Sequence, residues 1–292
     1  MKKFLSLFLM IVIVLSGLLN LTSCEQSDPP ETIRLGDSLM FGGYTWEIKA
    51  SEIPTDPGPN PFSGRSQDIW IDNSGKLHMK LAQHNGVWYS TEFTSRKFFG
   101  YGKYSFTIIG DLRNIPPNAV IRFFTYNPET YITDMYSQIN YDLAYGGYDT
   151  LTSPFNFYVE PKQTVSPNGT VSVWKERQFR PDSANGDLLA GKTTHVINWK
   201  QNEIIWECFE GDEENRGETI ASWIFDDTKP GRIGIDPNVP NSNSNLIKVP
   251  APGLQTRLTF SFHVNPVGST GYPSDRMERE IIIENFEYVP AN

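Results

Sequence analysis

Alternation of apolar and polar residues is the feature that most constrains the fold of this chain. In residues 257–264, Leu258, Phe260 and Phe262 occupy every second position, and polar side chains lie between them. Successive side chains of a β-strand point to opposite faces, so this pattern predicts a strand with one apolar face. A helix would instead need apolar residues three and four positions apart.

Similar runs recur along the chain, separated by stretches rich in Gly, Pro, Asn and Asp. No stretch keeps a helical period beyond two turns. About a dozen short strands of this kind predict an all-β fold, a two-sheet antiparallel β-sandwich or jelly roll. The other candidate strands are residues 76–82, 88–94, 101–109, 119–126, 138–144, 156–159, 194–199, 204–209, 220–224 and 279–289.

The first residues have the form of an export signal. Lys2 and Lys3 precede an apolar run over residues 4–19, which is shorter than a membrane span. Residues 21–24 read Leu-Thr-Ser-Cys and resemble the lipobox of bacterial lipoproteins, in which the cysteine is lipidated. We therefore predict lipidation of Cys24, and an ordinary signal peptide with an incidental cysteine is the alternative.

This signal sets the predicted organisation of the chain. We expect an exported protein whose lipid anchor holds it at the outer membrane or cell surface. Whether it faces the periplasm or the exterior stays open. The predicted segments are a lipoprotein signal peptide over residues 1–23, a lipidated tether over 24–39 and a single β-jelly-roll domain over 40–292.

Charge and cysteine content exclude several classes of protein. The formal net charge is -9 and no basic run is present, so no nucleic-acid partner is expected, because phosphate contacts need clustered Lys and Arg. Two cysteines are too few for a small domain that depends on several disulfide bonds, so this class of protein is excluded. Cys208 shares an alternating face with Ile204 and Trp206, which predicts a buried, unreactive thiol.

One segment carries a resemblance to a known family. Residues 99–104 read Phe-Gly-Tyr-Gly-Lys-Tyr. This resembles the aromatic-Gly-Tyr-Gly-basic-Tyr pattern of the family 16 glycoside hydrolases, the laminarinase, lichenase and agarase group. The order of later segments, including residues 194–206 and 281–289, matches that family too, so the resemblance covers residues 40–290. It implies a concanavalin A-like jelly roll with a glycan cleft on its concave face.

The strand that is catalytic in that family is altered here. The family pattern is Glu-x-Asp-x-Glu, which places three carboxyl groups on one face of a strand, the first as nucleophile and the last as acid/base. The resemblance puts Gln138, Asn140 and Asp142 at these positions. A carboxamide can neither form the covalent intermediate nor offset the charge of the transition state. We therefore expect the family's reaction to be lost.

The altered site still suits a sugar. Asn and Gln side chains both donate and accept hydrogen bonds, and aromatic rings can stack on the apolar faces of sugars. For the rings the alternative is core packing, and for the histidine it is a solvated surface position. The candidate carbohydrate-binding residues are Tyr126, Tyr136, Gln138, Asn140, Asp142 and His263.

No cofactor or metal site is expected. The four histidines are scattered without the spacing of metal ligands. The resemblance makes a structural Ca²⁺ on the convex face possible, but no local acidic motif indicates one. The acidic run over residues 210–215 is interpreted as a solvated turn.

Three functional hypotheses remain at this point. The first is an envelope lipoprotein that binds carbohydrate without hydrolysing it. The second is an active hydrolase of β-linked polysaccharide with a displaced site, to which Glu129 and Asp134 could contribute from a loop. The third is a structural or protein-interaction lipoprotein whose own loops fill the cleft. The sugar and its linkage stay open in all three.

Overall fold

The computed structural model describes residues 37–127, 138–147, 153–160, 163–165, 171–173, 177–226, 249–265 and 271–291. These residues belong to one compact unit, Glu31–Asn292. In this part of the chain no helix is both long and apolar enough to cross a membrane. The predicted signal peptide and Cys24 lie outside the described residues.

Regular structure in the described ranges is almost entirely β-strand. Two short 3-10 turns, Leu112–Asn114 and Gly186–Leu189, are also present. The strands are β1 (Ser38–Phe41), β2 (Tyr44–Ile48), β3 (Ile69–Ile71), β4 (Leu77–His84), β5 (Val87–Tyr89), β6 (Thr91–Ser95), β7 (Gly102–Ile109), β8 (Ala119–Tyr126), β9 (Ile139–Ala144), β10 (Phe155–Val159), β11 (Gln163–Val165), β12 (Val171–Val173), β13 (Gln178–Phe179), β14 (Lys192–Trp199), β15 (Glu203–Gly211), β16 (Arg216–Asp226), β17 (Arg257–Val264) and β18 (Arg279–Pro290).

The strands form two large antiparallel sheets. The front sheet has the order β1-β2-β6-β17-β8-β9-β10-β13, and the back sheet has the order β16-β15-β14-β7-β18-β4-β3, with β5 also paired to β4. Strands β11 and β12 pair only with each other among the described strands. The predicted two-sheet antiparallel sandwich is therefore confirmed.

An aromatic core holds the two sheets together. Phe260, on the inner face of β17, lies 4.5 Å from Phe123, 5.7 Å from Trp46 and 5.9 Å from Phe286 between ring centroids. Such pairs contribute about 0.5–1.5 kcal/mol each beyond the apolar area they bury. The alternation read from residues 257–264 thus identifies the inner face of β17 correctly.

One predicted strand is divided. Residues 88–94 are not continuous, because β5 pairs with β4 and β6 belongs to the front sheet. The break is at Ser90, whose backbone accepts from Ser63 N at 2.8 Å and donates to Pro61 O at 3.0 Å. A loop thus takes the hydrogen bonds that a continuous strand would use, and alternation alone does not reveal it.

A hairpin that the sequence analysis missed, formed by β1 and β2, begins two residues before the predicted domain start. β1 begins at Ser38, so the strand crosses the boundary predicted between residues 39 and 40. Gly42 and Gly43 connect it to β2 with φ of 56° and 77°. A two-residue turn with both φ positive strongly favours glycine, so the Gly-Gly pair was a usable signal.

Candidate functional site

Strand β9 separates the candidate residues from the core. Ile139, Tyr141 and Leu143 point into the core between the sheets. By alternation Asn140 and Asp142 point to the outer face of the front sheet, and Gln138 lies just before the strand. The structure therefore brings Asn140 and Asp142 to one face of the front sheet.

The register of the front sheet places further polar residues beside Asp142. Arg122 on β8 and Asn156 on β10 lie directly opposite it on either side. Ser261 on β17 is the other neighbour of Arg122, and Glu92 on β6 is opposite Ser261. We call this set, with the flanking Lys49, the charged row: Lys49, Glu92, Ser261, Arg122, Asp142 and Asn156.

Asp142 is neutralised by an arginine. Arg122 Nε and Nη2 donate to the two carboxylate oxygens of Asp142 at 2.8 and 2.9 Å. Asp142 is 3% exposed. Burial alone would lower the pKa of Arg122, but the Asp142 carboxylate outweighs it and raises that pKa above its usual value. Both oxygens are thus held in a two-pronged ion pair, the geometry that arginine prefers with carboxylates.

The second carboxylate of the row forms its own pair. Glu92 is buried, and its Oε1 lies 3.0 Å from Lys49 Nζ. Burial raises the pKa of Glu92, and Lys49 only partly opposes this. The other oxygen, Oε2, has no hydrogen-bond partner among the described residues.

The two carboxylates of the row are too far apart to act together. Glu92 and Asp142 are separated by β17 and β8, which amounts to three strand spacings, or about 14 Å. Glycoside hydrolysis uses carboxyl pairs about 5–5.5 Å apart for retention and about 6.5–9.5 Å apart for inversion. Glu129 and Asp134, the predicted alternative acids, lie outside the described residues.

Asn140 carries an incomplete hydrogen-bond set. It is 1% exposed and lies between Phe124 on β8 and Tyr158 on β10. Neither its Oδ1 nor its Nδ2 has a hydrogen-bond partner in the described part of the chain. A buried polar group without a partner costs about 1–3 kcal/mol. Most buried polar groups are satisfied, so an amide with both atoms unpaired requires an explanation, and a bound ligand would supply the missing partners.

The remaining candidate carbohydrate-binding residues are less well placed to contact a ligand. His263 is on the predicted face with Ser261, and its Nδ1 lies 3.0 Å from Ser261 Oγ. It is 1% exposed, so the alternative of a solvated surface histidine is wrong. Burial, with Arg122 and Lys49, lowers the pKa of His263 well below its usual value. Tyr126 ends β8 and is half-buried, whereas Tyr136 lies outside the described residues.

A loop explains why His263 is covered. The segment that follows β2 approaches the end of β17, and a Cβ on Gly58 would lie 2.5 Å from Val264 O and 3.5 Å from His263 Cδ2. Phe62 in the same segment lies under Lys49, whose Nζ is 4.0 Å from the ring centroid. The outer face of the front sheet is therefore closed at this end by the protein's own chain.

On the inner face of β9 lies a second polar cluster. Tyr141 Oη is 2.9 Å from His195 Nδ1, and Thr193 Oγ1 is 2.9 Å from His195 Nε2. Cys208 lies opposite His195 in the β14–β15 register. This cross-strand neighbour was missed, because nothing in the sequence relates the two positions before the register is known.

We call these side chains, Tyr141, Thr193, His195 and Cys208, the inner cluster. Their environment does not favour catalysis. Burial lowers the pKa of His195 to about 3 and raises the pKa of the Cys208 thiol. A nucleophilic cysteine needs the opposite, a lowered thiol pKa beside a basic or charged imidazole. The prediction that Cys208 is buried is confirmed, and its environment favours the protonated thiol.

No metal cluster stands out elsewhere in the described ranges. No group of three or more His, Cys, Asp or Glu side chains there is arranged to hold a metal ion. Residues 212–215 form the turn between β15 and β16, whereas residues 210 and 211 of the acidic run belong to the end of β15. A cavity of about 90 Å³ near the end of β7 lies away from the charged row and is smaller than usual ligand sites.

Comparisons with known proteins give similarity of structure only. No protein-family model and no curated protein matches the sequence. A GH16 enzyme of Bacteroides ovatus, from its mixed-linkage glucan locus and solved with a product, has a TM-score of 0.55 at 13% identity, covering 84% of this chain and 94% of that one.

Two further solved structures agree. The β-glucanase of Bacillus licheniformis has a TM-score of 0.52 at 14% identity, over 91% of this chain and 100% of that one. A pseudo β-1,3-glucanase of Mycobacterium tuberculosis has a TM-score of 0.53 at 11% identity, over 91% and 96%. The resemblance read from the sequence is thus confirmed at the level of structure: this chain has the fold of the family 16 glycoside hydrolases.

Proposed function

We propose that this protein is an envelope lipoprotein that binds a carbohydrate chain on the outer face of its front sheet without hydrolysing it. The observation that carries the proposal is the buried, unpaired amide of Asn140. An amide both donates and accepts hydrogen bonds, as a sugar hydroxyl does. The hydroxyl groups of a glycan could therefore hydrogen-bond to both Oδ1 and Nδ2 of Asn140. The rings of Phe124 and Tyr158 flank this amide on the neighbouring strands.

The fold supports carbohydrate as the ligand class. The Bacteroides ovatus enzyme that shares it was solved with a product, and its name links it to mixed-linkage glucan. Fold alone does not fix a function, so the assignment to this chain rests on the site residues.

The ion pair supports binding without hydrolysis. Asp142 is the only carboxylate among Gln138, Asn140 and Asp142, and Arg122 holds both of its oxygens. Glu92, the next carboxylate along the charged row, is about 14 Å away by strand spacing. The Mycobacterium tuberculosis protein of the same fold is itself named a pseudo β-1,3-glucanase.

The lipid anchor is part of the proposal and rests on the Leu-Thr-Ser-Cys sequence at residues 21–24. Mass spectrometry of the mature N-terminal peptide from envelope fractions tests it. We expect Cys24 at the N-terminus with attached acyl chains. A mature protein that begins elsewhere, without lipid, contradicts the anchor and leaves the binding proposal standing.

Calorimetry against a panel of β-glucans, galactans and host glycans tests the binding site. We expect at least one ligand, with affinity reduced about ten-fold or more by Asn140→Ala. Asn198→Ala, an amide on the outer face of the back sheet, is the matched control and should bind normally. Absence of binding across the panel contradicts the proposal.

Two alternatives have their own tests. An active hydrolase would release reducing sugar from laminarin, lichenan, agarose or porphyran and lose this activity on Asp142→Asn. The burial of Asn140 and Asp142 favours the other candidate, a structural or protein-interaction lipoprotein. A structure with a bound oligosaccharide in contact with Asn140 would exclude that candidate.

A further inference from the structure

Two ion pairs account for the charged side chains of the charged row. Within the charged row, Lys49 pairs with Glu92 and Arg122 pairs with Asp142. Each carboxylate of the row is therefore already matched by one cation. A further arginine, Arg180, lies at the β10–β13 end of the row.

The orientation of Arg180 follows from its neighbours. Phe179 points inward, because its ring stacks on Phe157 and Trp223 at centroid distances of 6.3 and 5.9 Å. The adjacent side chain of Gln178 points outward and donates to Asn156 Oδ1 at 2.6 Å. Arg180 follows Phe179 and, by alternation, also points outward.

Arg180 reaches back toward the middle of the sheet. Its Nη1 donates to Ala144 O, at the end of β9, at 2.7 Å. This places the guanidinium on the same side of the sheet as Asp142, which interacts with it electrostatically. The two oxygens of Asp142 are nevertheless taken by Arg122.

In the described part of the chain, Arg180 is consequently a cation without a counter-ion of its own. No carboxylate in the described ranges lies within 4.0 Å of its guanidinium, unlike Arg122. Burial lowers the pKa of Arg180, which reflects the penalty for keeping an unmatched charge away from water. An excess of basic residues in the chain does not explain the unpaired guanidinium of Arg180, because the net charge is -9.

We propose that the glycan bound at Asn140 carries an anionic substituent, a carboxylate or a sulfate ester, that pairs with Arg180. The inference rests on the proposed function and narrows its ligand class. A planar guanidinium binds either group through two parallel hydrogen bonds. Asn140 and Arg180 lie on the same face of the front sheet, so one saccharide chain could contact both.

Matched ligands and variants of the intact protein test this inference. Wild type is titrated with neutral, uronate-containing and sulfated oligosaccharides of otherwise equal backbone, and the two acidic ligands distinguish the two sources of charge. We expect one of the acidic ligands to bind about ten-fold or more tightly than the neutral one, and Arg180→Gln to remove this preference.

Controls separate a charge effect from loss of fold. Arg180→Lys should retain part of the preference, and Arg113→Gln, at an exposed pair with Asp111, should retain all of it. If Arg180→Gln does not fold, the wild-type comparison with carboxyl-reduced or desulfated ligand gives the same answer.

The outcomes distinguish the two proposals. Equal binding of neutral and acidic ligands, or a preference that Arg180→Gln leaves intact, overturns the anionic-ligand inference and leaves carbohydrate binding in place. Failure of every ligand, neutral and acidic, overturns the proposed function together with this inference.

Discussion

Both faces of β9 carry buried polar side chains, but the hydrogen bonding of these side chains differs between the two faces. On the inner face, Tyr141 and His195 share a hydrogen bond, and the second ring nitrogen of His195 is paired with Thr193. On the outer face, Asp142 is charged and ion-paired, while the amide of Asn140 lacks a partner in the described ranges.

This difference separates structure from function. A polar cluster with closed hydrogen bonds can hold two sheets in register without any ligand. A polar cluster with incomplete hydrogen bonds lowers the stability of the folded protein. Such a cost is typical of functional sites. The comparison therefore assigns the inner cluster to the fold and supports the binding role proposed for the outer face.

The largest expected effect is on the outer ion pair. Arg122→Met leaves the buried Asp142 carboxylate unpaired and should lower the free energy of unfolding by about 3 kcal/mol, measured by urea denaturation. The matched control is Arg96→Met, which breaks an exposed pair with Glu47 and should cost less than about 1 kcal/mol. Equal effects of the two variants would contradict a buried ion pair between Arg122 and Asp142.

The inner cluster should respond to pH. Folded His195 has a pKa of about 3, whereas the unfolded chain binds this proton near 6.5. Below that value the unfolded state takes up the proton first, so stability falls as the pH is lowered. At pH 5 the loss from this residue is about 2 kcal/mol relative to pH 7.5. His195→Gln should reduce the pH dependence by that amount in denaturation series, and an unchanged slope would contradict the burial of a neutral imidazole.

The amide of Asn140 gives a smaller effect of opposite sign. Asn140→Leu replaces an unpaired buried amide by an apolar side chain of similar size and should raise the free energy of unfolding by about 1 kcal/mol while abolishing glycan binding. Asn198→Leu should leave binding unchanged. Loss of stability in Asn140→Leu would indicate that the amide already has partners in the folded protein.

The smallest effect concerns Cys208. We expect its thiol to stay unmodified by a maleimide in the native protein and to react fully in denaturant, because burial raises its pKa and blocks access. Peptide mapping identifies the modified residue. Ser222→Cys, on the exposed side of β16, is the reactive control. Rapid native labelling of Cys208 would contradict a closed inner cluster.

The sequence predicts the faces of the strands better than their neighbours. Strands β8 and β17 have the predicted limits, because alternation and turn residues are local signals. The pairing of Arg122 with Asp142 and the approach of His195 to Cys208 depend on register between separate strands. No local pattern encodes that register, so the ion pair that decides the chemistry of the site was beyond prediction.

The position of Arg122 opposite Asp142 also bears on how such a site could change over time. Glutamates introduced at residues 138 and 142 would include one acid that Arg122 is already placed to bind. Removing the arginine first would pass through a less stable protein with an unpaired buried charge. Hydrolysis on this face would therefore require substitutions on two strands, and removal of the arginine as a single first step would cost stability.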